Sequence, residues 1–197
     1  MPDDPVAERT TAMKKPGETI LVLGGARAGK SDFALRLASE MEAERGGPVC
    51  FIATAEPLDH EMRERIARHR SERPARWITL EEPMRLDDAL ARAHDAQVIL
   101  VDCMTLLVSN WLVRAGTETG LQERLSGTID ASLALAAANK QCLICVSNEV
   151  GLGLVPDTPL GRQFRDSLGR VNQRLAQTAD AVYLLVAGIP IRLKPQS

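Results

Sequence analysis

Eight residues near the start of the chain have the types and spacing that bind a phosphate chain. Residues 24–31 read G-G-A-R-A-G-K-S, which fits the pattern G-x-x-x-x-G-K-S, and they follow directly on the apolar run I-L-V-L. A strand that leads through a glycine-rich turn into a helix directs backbone N–H groups and the positive end of the helix dipole at one point. Lys30 is expected to reach the β- and γ-phosphates of a nucleoside triphosphate, and the Ser31 hydroxyl to bind Mg²⁺.

A carboxylate at the end of another apolar run fits the metal side of such a site. Residues 98–102 read V-I-L-V-D, so Asp102 is placed as the acid of a Walker B strand, near the metal or the nucleotide. Regulatory GTPases also need an N-K-x-D motif to read guanine. The nearest match, N-K-Q-C at residues 139–142, lacks the aspartate, and this argues against a switch protein of that type.

One histidine lies in a segment crowded with arginines. Residues 63–76 contain His69 together with Arg63, Arg65, Arg68, Arg70, Arg73 and Arg76. On a helix, Met62, Ile66, His69 and Arg73 share one face. A neutral imidazole there could attack phosphorus while planar guanidiniums bind phosphate. A solvated basic face with an incidental histidine is the more ordinary interpretation, and the residue types alone leave both open.

Strands and helices alternate along the chain that must position these groups. Strands are predicted at residues 20–23, 49–53, 77–80, 97–102, 142–147 and 181–186, with an edge strand at 191–193. Helices are predicted after the glycine-rich turn and at 59–72, 84–93, 104–114, 118–139 and 160–178. The pattern indicates an α/β, single-domain P-loop NTPase fold, a mostly parallel sheet with helices on both faces. Residues 1–17 are expected to form a flexible leader and 18–197 the P-loop domain.

The bulk composition is that of one well-packed domain. The 197 residues are 45% hydrophobic and carry a net charge of −2, which gives no overall attraction to nucleic acid or to an anionic membrane. No apolar run reaches the length of a membrane span, and we expect a cytoplasmic protein. Cys142 and Cys145 form a C-x-x-C pattern, but in a strand their sulfurs would face opposite ways, so they are interpreted as structural thiols.

Several segments match one enzyme family when they are taken in order with the glycine-rich turn. They read I-A-T-A at residues 52–55, R-I-A-R-H-R-S-E-R-P at 65–74, N-E-V-G-L-G-L-V-P at 148–156, F-R-D at 164–166 and G-R-V-N-Q-R-L-A at 169–176. With these segments the chain resembles the bifunctional adenosylcobinamide kinase/adenosylcobinamide-phosphate guanylyltransferase family of cobalamin biosynthesis. The patterns H-R-x-x-R-P and N-E-V-G-x-G-x-V-P carry most of the resemblance. Ala28 stands where a serine is frequent, and Asp102 where glutamate also occurs.

The resemblance implies two reactions. Adenosylcobinamide is phosphorylated by ATP or GTP, and GMP is then transferred from GTP to adenosylcobinamide phosphate through a guanylylated histidine, matched by His69. Implied catalytic residues are His69 and Lys30, and implied metal ligands are Ser31 and Asp102. The implied nucleotide contacts are Gly24, Gly25, Ala26, Arg27, Ala28, Gly29, Lys30, Ser31, Ala53, Thr54, Ala55, Arg70, Ser71, Glu72, Arg73, Glu81 and Asp102. A homotrimer is implied as well.

Two other functions remain open at the level of the sequence. One is a simple P-loop kinase or NTPase in which His69 is inert, and the other is a nucleotide-binding regulatory or assembly module. The loop at residues 148–156 follows a predicted strand at the same sheet edge as the P-loop, so it can reach a substrate. Its Glu149 is interpreted as a base, a metal-shell residue or a fastener of the loop, with tight backbone geometry favouring the last.

Overall fold

A seven-stranded sheet runs through the centre of the molecule. A computed structural model describes residues 16–57, 59–71, 73–115 and 120–195. Its elements are β1 (Thr19–Gly24), α1 (Lys30–Arg45), β2 (Val49–Ala53), α2 (His60–Ser71), β3 (Ile78–Glu81), α3 (Leu86–Arg92), β4 (Val98–Asp102), α4 (Met104–Ala115), α5 (Leu121–Ala138), β5 (Cys142–Asn148), α6 (Pro159–Thr178), β6 (Ala181–Val186) and β7 (Ile189–Lys194). The strand order is β3-β2-β4-β5-β1-β6-β7. Neighbours pair in parallel except β6 and β7, which are antiparallel, so the predicted mostly parallel sheet is confirmed.

Helices cover both faces of this sheet. Alternate residues of a strand point to opposite faces, and in β1 Ile20 packs in a core with α1 whereas Leu21 packs in a second core with α3, α4, α5 and α6. The central strands β1, β2, β4 and β5 are buried on both sides, which explains why they read as continuous apolar runs. Cys142 and Cys145 belong to opposite cores, as their spacing predicts.

Most predicted elements lie within two residues of their observed bounds, and the shifts have local causes. Asp59 caps α2 through a 2.7 Å bond that its Oδ1 accepts from Met62 N. Helix α3 begins at Leu86 rather than at residue 84 because the Glu82 carboxylate accepts hydrogen bonds from Met84 N and Arg85 N, which holds a turn there. Strand β3 is shifted by one residue, so Glu81 ends it rather than following it.

Apolar residues at the start of α6 and near the end of α4 remain exposed. Leu160, Phe164, Leu168, Val171 and Leu175 share one face of α6, and this face packs on the core from Phe164 onward, whereas Leu160 is 51% exposed. On α4, Trp111 and Leu112 are buried but Val113 is 69% exposed. The leader predicted at residues 1–17 lies outside the described residues except for 16 and 17, as do residues 118 and 119 of the predicted fifth helix. Within the described part of the chain, no helix has the length and apolar character to cross a membrane.

Candidate active site

The phosphate-binding turn predicted at residues 24–31 lies between β1 and the first turn of α1. Gly29 caps α1 with φ 84°, a left-handed conformation that glycine adopts without strain. Gly24 lies so close to β6 that a Cβ there would be 2.6 Å from the Leu185 carbonyl oxygen. Gly188 N donates to the Ala28 carbonyl oxygen at 3.1 Å. The turn therefore depends on glycine at these points and is fastened to the β6–β7 hairpin.

Lys30 lies within this turn. It is 8% exposed, and its Nζ donates to the Gly25 carbonyl oxygen at 2.7 Å. The tip of the turn, formed by Gly25, Ala26 and Arg27, is exposed. The predicted phosphate contacts are thus open to a ligand, with a buried ammonium group beside them.

The parallel register brings the other predicted residues to the same edge of the sheet. Ala53 of β2 aligns with Asp102 of β4 and, on its other side, with Glu81 of β3. Gly24 of β1 aligns with Asn148 of β5. The carboxyl ends of these parallel strands meet at one edge, so the acid of β4, the end of β2 and the glycine-rich turn share that edge.

A cleft with about 720 Å³ of empty space opens at this edge, between the start of α1, the strand ends and α2. Eight of the predicted site residues line it: Ser31, Ala53, Ala55, His69, Arg70, Arg73, Glu81 and Asp102. Four apolar residues outside the predicted contacts complete its walls: Pro57, Met62, Ile66 and Leu106. Met62 and Ile66 lie on the helical face of His69, as their spacing predicts, whereas no motif indicates Pro57 or Leu106.

Helix α2 presents the histidine to this cleft. The His69 imidazole is 30% exposed, and its Nδ1 lies 4.0 Å from Asp102 Oδ2. Arg70, on the next position, lies 3.9 Å from Glu81 across the mouth, with both side chains about two-thirds exposed. The Arg73 guanidinium lies 3.5 Å from the centre of the Phe51 ring, a cation–π contact that fixes it beyond the helix end. The histidine and two of the six arginines thus face one space.

Two predicted contacts, Thr54 after β2 and Ser71 at the end of α2, are not among the residues that line the cleft. Thr54 is fully buried, and its hydroxyl donates to the Cys103 carbonyl oxygen at 2.7 Å, so its side chain cannot touch a nucleotide in this structure. The Ser71 hydroxyl is turned back to the Arg68 carbonyl oxygen at 2.7 Å. Glu72 lies outside the described residues. Because the Thr54 hydroxyl bonds within the protein, a nucleotide contact at residue 54 falls to its backbone and stays a prediction.

Ser31 and Asp102 are the predicted metal ligands, and both line this cleft. A hydroxyl and a carboxylate are hard oxygen donors, which Mg²⁺ prefers, and Mg²⁺ in nucleotide sites is usually held by one or two protein oxygens together with phosphates and water. The residues present fit a Mg²⁺ ion that is shared with a nucleotide.

Cys103, directly after the acid, also lines the cleft. Burial, and the neighbouring Asp102 carboxylate, raise the pKa of its thiol to about 11. The thiol is therefore protonated at neutral pH and is not available as a nucleophile.

The loop at residues 149–158 starts beside the phosphate-binding turn. Glu149 N donates to the Gly24 carbonyl oxygen at 3.0 Å, and Glu149 Oε1 accepts a 2.7 Å bond from Gly151 N. Two buried side chains hold the end of β5. Asn172 Nδ2 donates to the Asn148 carbonyl oxygen at 3.0 Å, and Thr105 Oγ1 accepts from Asn148 N at 2.8 Å. Of the three roles considered for Glu149, the geometry shows the loop fastener.

Comparison with known proteins gives concordant results. The family model described as cobinamide kinase / cobinamide phosphate guanyltransferase matches residues 20–193. The bifunctional adenosylcobalamin biosynthesis protein CobP of Pseudomonas aeruginosa is 43% identical over 175 residues, which cover 88% of this chain and 96% of that protein. The bifunctional adenosylcobalamin biosynthesis protein CobU of Escherichia coli is 40% identical over 184 residues, 89% and 99% of the two chains.

Solved structures with low sequence identity share the fold. The flagellar accessory protein FlaH from Methanocaldococcus jannaschii superposes with a TM-score of 0.58 at 15% identity, covering 98% of this chain and 85% of that one. A second solved structure, that of an ATPase domain, gives a TM-score of 0.57 at 14% identity, covering 92% and 73%. These likenesses confirm the predicted P-loop NTPase fold.

Proposed function

The chain belongs to the cobinamide kinase / cobinamide phosphate guanyltransferase family, and on that premise we propose that its two reactions share the cleft between the P-loop, α2 and the end of β4. The chain is a bifunctional enzyme of cobalamin biosynthesis with cobinamide kinase and cobinamide phosphate guanylyltransferase activities. The observation that carries the proposal is the meeting of His69, Asp102 and Ser31 in one cleft beside the phosphate-binding turn. A kinase in which His69 is inert would not need that meeting.

In the guanylyltransferase reaction, His69 is the nucleophile. Its ring nitrogen forms a P–N bond to the α-phosphorus of GTP as the bond between the α- and β-phosphates breaks and pyrophosphate leaves. A phosphate oxygen of adenosylcobinamide phosphate then attacks the same phosphorus, the P–N bond breaks, and His69 is regenerated as adenosylcobinamide-GDP forms. Arg70 and Arg73, at the edge of the cleft, offer positive charge to the phosphate oxygens. Glu81 is placed to accept hydrogen bonds from the guanine or the ribose.

In the kinase reaction, no covalent intermediate is needed. Lys30 and the backbone N–H groups of residues 24–31 hold the β- and γ-phosphates of ATP or GTP. The hydroxyl oxygen of adenosylcobinamide attacks the γ-phosphorus in line, and the nucleoside diphosphate leaves. Mg²⁺ held by Ser31 and Asp102 would neutralise charge that develops on the leaving phosphate in either reaction. The arrangement uses the P-loop for both reactions and His69 for one.

Other features of the enzyme follow from the resemblance or from composition. The proposed substrates are adenosylcobinamide, its phosphate, and the nucleotides ATP and GTP, and the proposed assembly is a homotrimer. A cytoplasmic location is supported by the four cysteines, which are all free thiols and are typical of a reducing compartment.

Labelling of the protein tests the function. The full chain with Mg²⁺ and α-labelled GTP is expected to acquire label that is stable in base and lost in acid, as a phosphoramidate is. His69→Ala is expected to abolish the label. His60→Ala is the matched control, because His60 lies at the start of the same helix with a side chain 80% exposed, and it should label as the wild type does. Wild-type protein that phosphorylates cobinamide but takes no label would favour the simple kinase.

A further inference from the structure

The ends of β2 and β4 are joined by a reciprocal pair of hydrogen bonds that involves one threonine. The Thr54 hydroxyl accepts from Cys103 N at 2.8 Å and donates to the Cys103 carbonyl oxygen at 2.7 Å. Thr54 has no exposed surface, so these bonds are made away from water, where losing a partner is costly. Thr54 follows Ala53, and Cys103 follows Asp102. The pair therefore fixes the distance between two walls of the cleft.

A buried asparagine extends this connection to the loop after β3. Asn110 lies on α4 between apolar turns and is 8% exposed. Its Nδ2 donates to the Thr54 carbonyl oxygen at 2.8 Å and to the Pro83 carbonyl oxygen at 3.1 Å. The amide group thus connects α4 to two different segments, the one after β2 and the one after β3. In the second segment, Pro83 is two residues from Glu81. We call Thr54, Asn110 and the backbone of Cys103 the strand-end clamp.

Each segment that the clamp ties together carries a predicted site residue, whereas the Thr54 and Asn110 side chains do not line the cleft. We propose that Thr54 and Asn110 are positioning residues, which set the spacing of Asp102, the end of β2 and Glu81 for attack by His69. This proposal rests on the proposed function. The clamp acts mainly on guanylyl transfer, because that reaction must bring the α-phosphorus against His69 and the nucleoside against Glu81 at the same time.

The kinase reaction depends less on the clamp, because with ATP it shares Asp102 but uses neither His69 nor the guanosine contact of Glu81. The P-loop has its own supports, which are the glycine-dependent approach of Gly24 to β6 and the bond from Gly188 N to the Ala28 carbonyl oxygen. These supports do not pass through Thr54 or Asn110. Misplacing a reacting group by about 1 Å can lower a rate by about a hundredfold. A loosened clamp is therefore expected to change the ratio of the two reaction rates, which a loss of folded protein would not change.

The test measures both reactions on the full chain. The rate at which α-labelled GTP labels His69 is compared with the rate of cobinamide phosphorylation by ATP, for Asn110→Leu, Thr54→Val and Thr54→Ser. Asn110→Leu and Thr54→Val keep the size of the side chain and remove the bonds. We expect both to slow labelling at least about tenfold more than phosphorylation. Thr54→Ser keeps the hydroxyl and should restore the wild-type ratio.

Gln141→Leu is the matched control. Gln141 is a buried amide that also donates to backbone carbonyl oxygens, those of Ala93 at 2.7 Å, Ala96 at 2.9 Å and His94 at 3.4 Å. It lies just before β5, at the opposite edge of the sheet. Gln141→Leu should lower the melting temperature of the protein and leave the ratio of the two rates unchanged.

Clamp variants that lower both rates in the same proportion would overturn the proposal. If Asn110→Leu does not fold, the comparison of Thr54→Val with Thr54→Ser decides alone. Equal ratios of labelling to phosphorylation in these two variants would overturn the proposal. Wild-type protein with neither activity would contradict the proposed function and not the clamp.

Discussion

Nδ1 of His69 lies 4.0 Å from Oδ2 of Asp102, although the two residues come from different elements, α2 and the end of β4. The carboxylate faces one ring nitrogen, at a distance that allows an electrostatic contact but is too long for a hydrogen bond. The other nitrogen, Nε2, is the one left to attack a phosphorus atom. The charged group that the structure places beside the ring is thus an acid, whereas the sequence around His69 is dominated by arginines.

This relationship predicts which nitrogen carries the guanylyl group. The adduct is expected on Nε2, because Nδ1 faces the Asp102 carboxylate, whose negative charge opposes the approach of a phosphate group to that nitrogen. Phosphorus–proton couplings in the NMR spectrum of the guanylylated His69 peptide distinguish the two isomers. An adduct on Nδ1 would contradict this prediction, because it would show that the imidazole ring rotates before it reacts.

The sequence could predict residues whose role follows from a local pattern. The turn at residues 24–31, Asp102 at a strand end and His69 on a helical face are such cases, and parallel register brings them to one edge. Asn110 could not be found in this way, because its partners Thr54 and Pro83 are 56 and 27 residues away. A single amide in an otherwise apolar helix was the available signal. The resemblance implies a nucleotide contact at Thr54, but a sequence does not show which way its hydroxyl turns.

The four cysteines are predicted to resist alkylation in the native protein. Burial raises the pKa of the Cys50 thiol to about 11, and that of Cys142 and Cys145 to about 12. Burial and the Asp102 carboxylate raise the pKa of Cys103 to about 11. Because the thiolate is the reactive form, iodoacetamide at pH 7.5 should leave all four unmodified by mass spectrometry, and denaturant should expose four. Rapid modification of Cys103 in native protein would contradict this.

An ion pair at the end of α1 is predicted to make stability depend on acid pH. A hydrogen bond from Arg76, against the opposing effect of burial and with a further bond from Trp77, lowers the pKa of Glu42. A carboxyl whose pKa is lowered on folding stabilises the fold above its unfolded pKa, and this stabilisation is lost as the pH falls through the lowered value. Glu42→Gln should therefore reduce the melting temperature at pH 7, by about 2–4 °C for each kcal/mol lost.

The same variant should approach the wild type as the pH falls below the usual glutamate pKa of about 4.3. Thermal melts between pH 7 and pH 3 measure this convergence. Glu44→Gln is the control, because Glu44 lies on the same helix and is exposed, and its melting temperature should follow the wild type throughout. A difference between Glu42→Gln and the wild type that stays constant down to pH 3 would exclude the ion pair as its cause.

The loop at residues 149–158 gives the last prediction, which separates a fastener from a base. Glu149 Oε1 accepts the bond from Gly151 N at 2.7 Å, and a Cβ on residue 151 would lie 2.8 Å from that oxygen. The bond therefore needs an acceptor at 149, and a side chain at 151 would displace that acceptor. A glutamine still offers a carbonyl oxygen, whereas an alanine offers none.

Glu149→Gln is expected to phosphorylate cobinamide at close to the wild-type rate, because it keeps the acceptor oxygen and with it the bond that holds the loop beside the P-loop. Glu149→Ala and Gly151→Ala should each lower that rate by a similar factor, since each breaks the same bond from a different side, and combining them should cost little more than either alone. Initial rates at saturating ATP, with the melting temperature of each variant, measure the effect. A general base contributes about 10²- to 10⁴-fold, and glutamine cannot take up a proton, so a loss of that size in Glu149→Gln would assign the carboxylate to proton transfer instead.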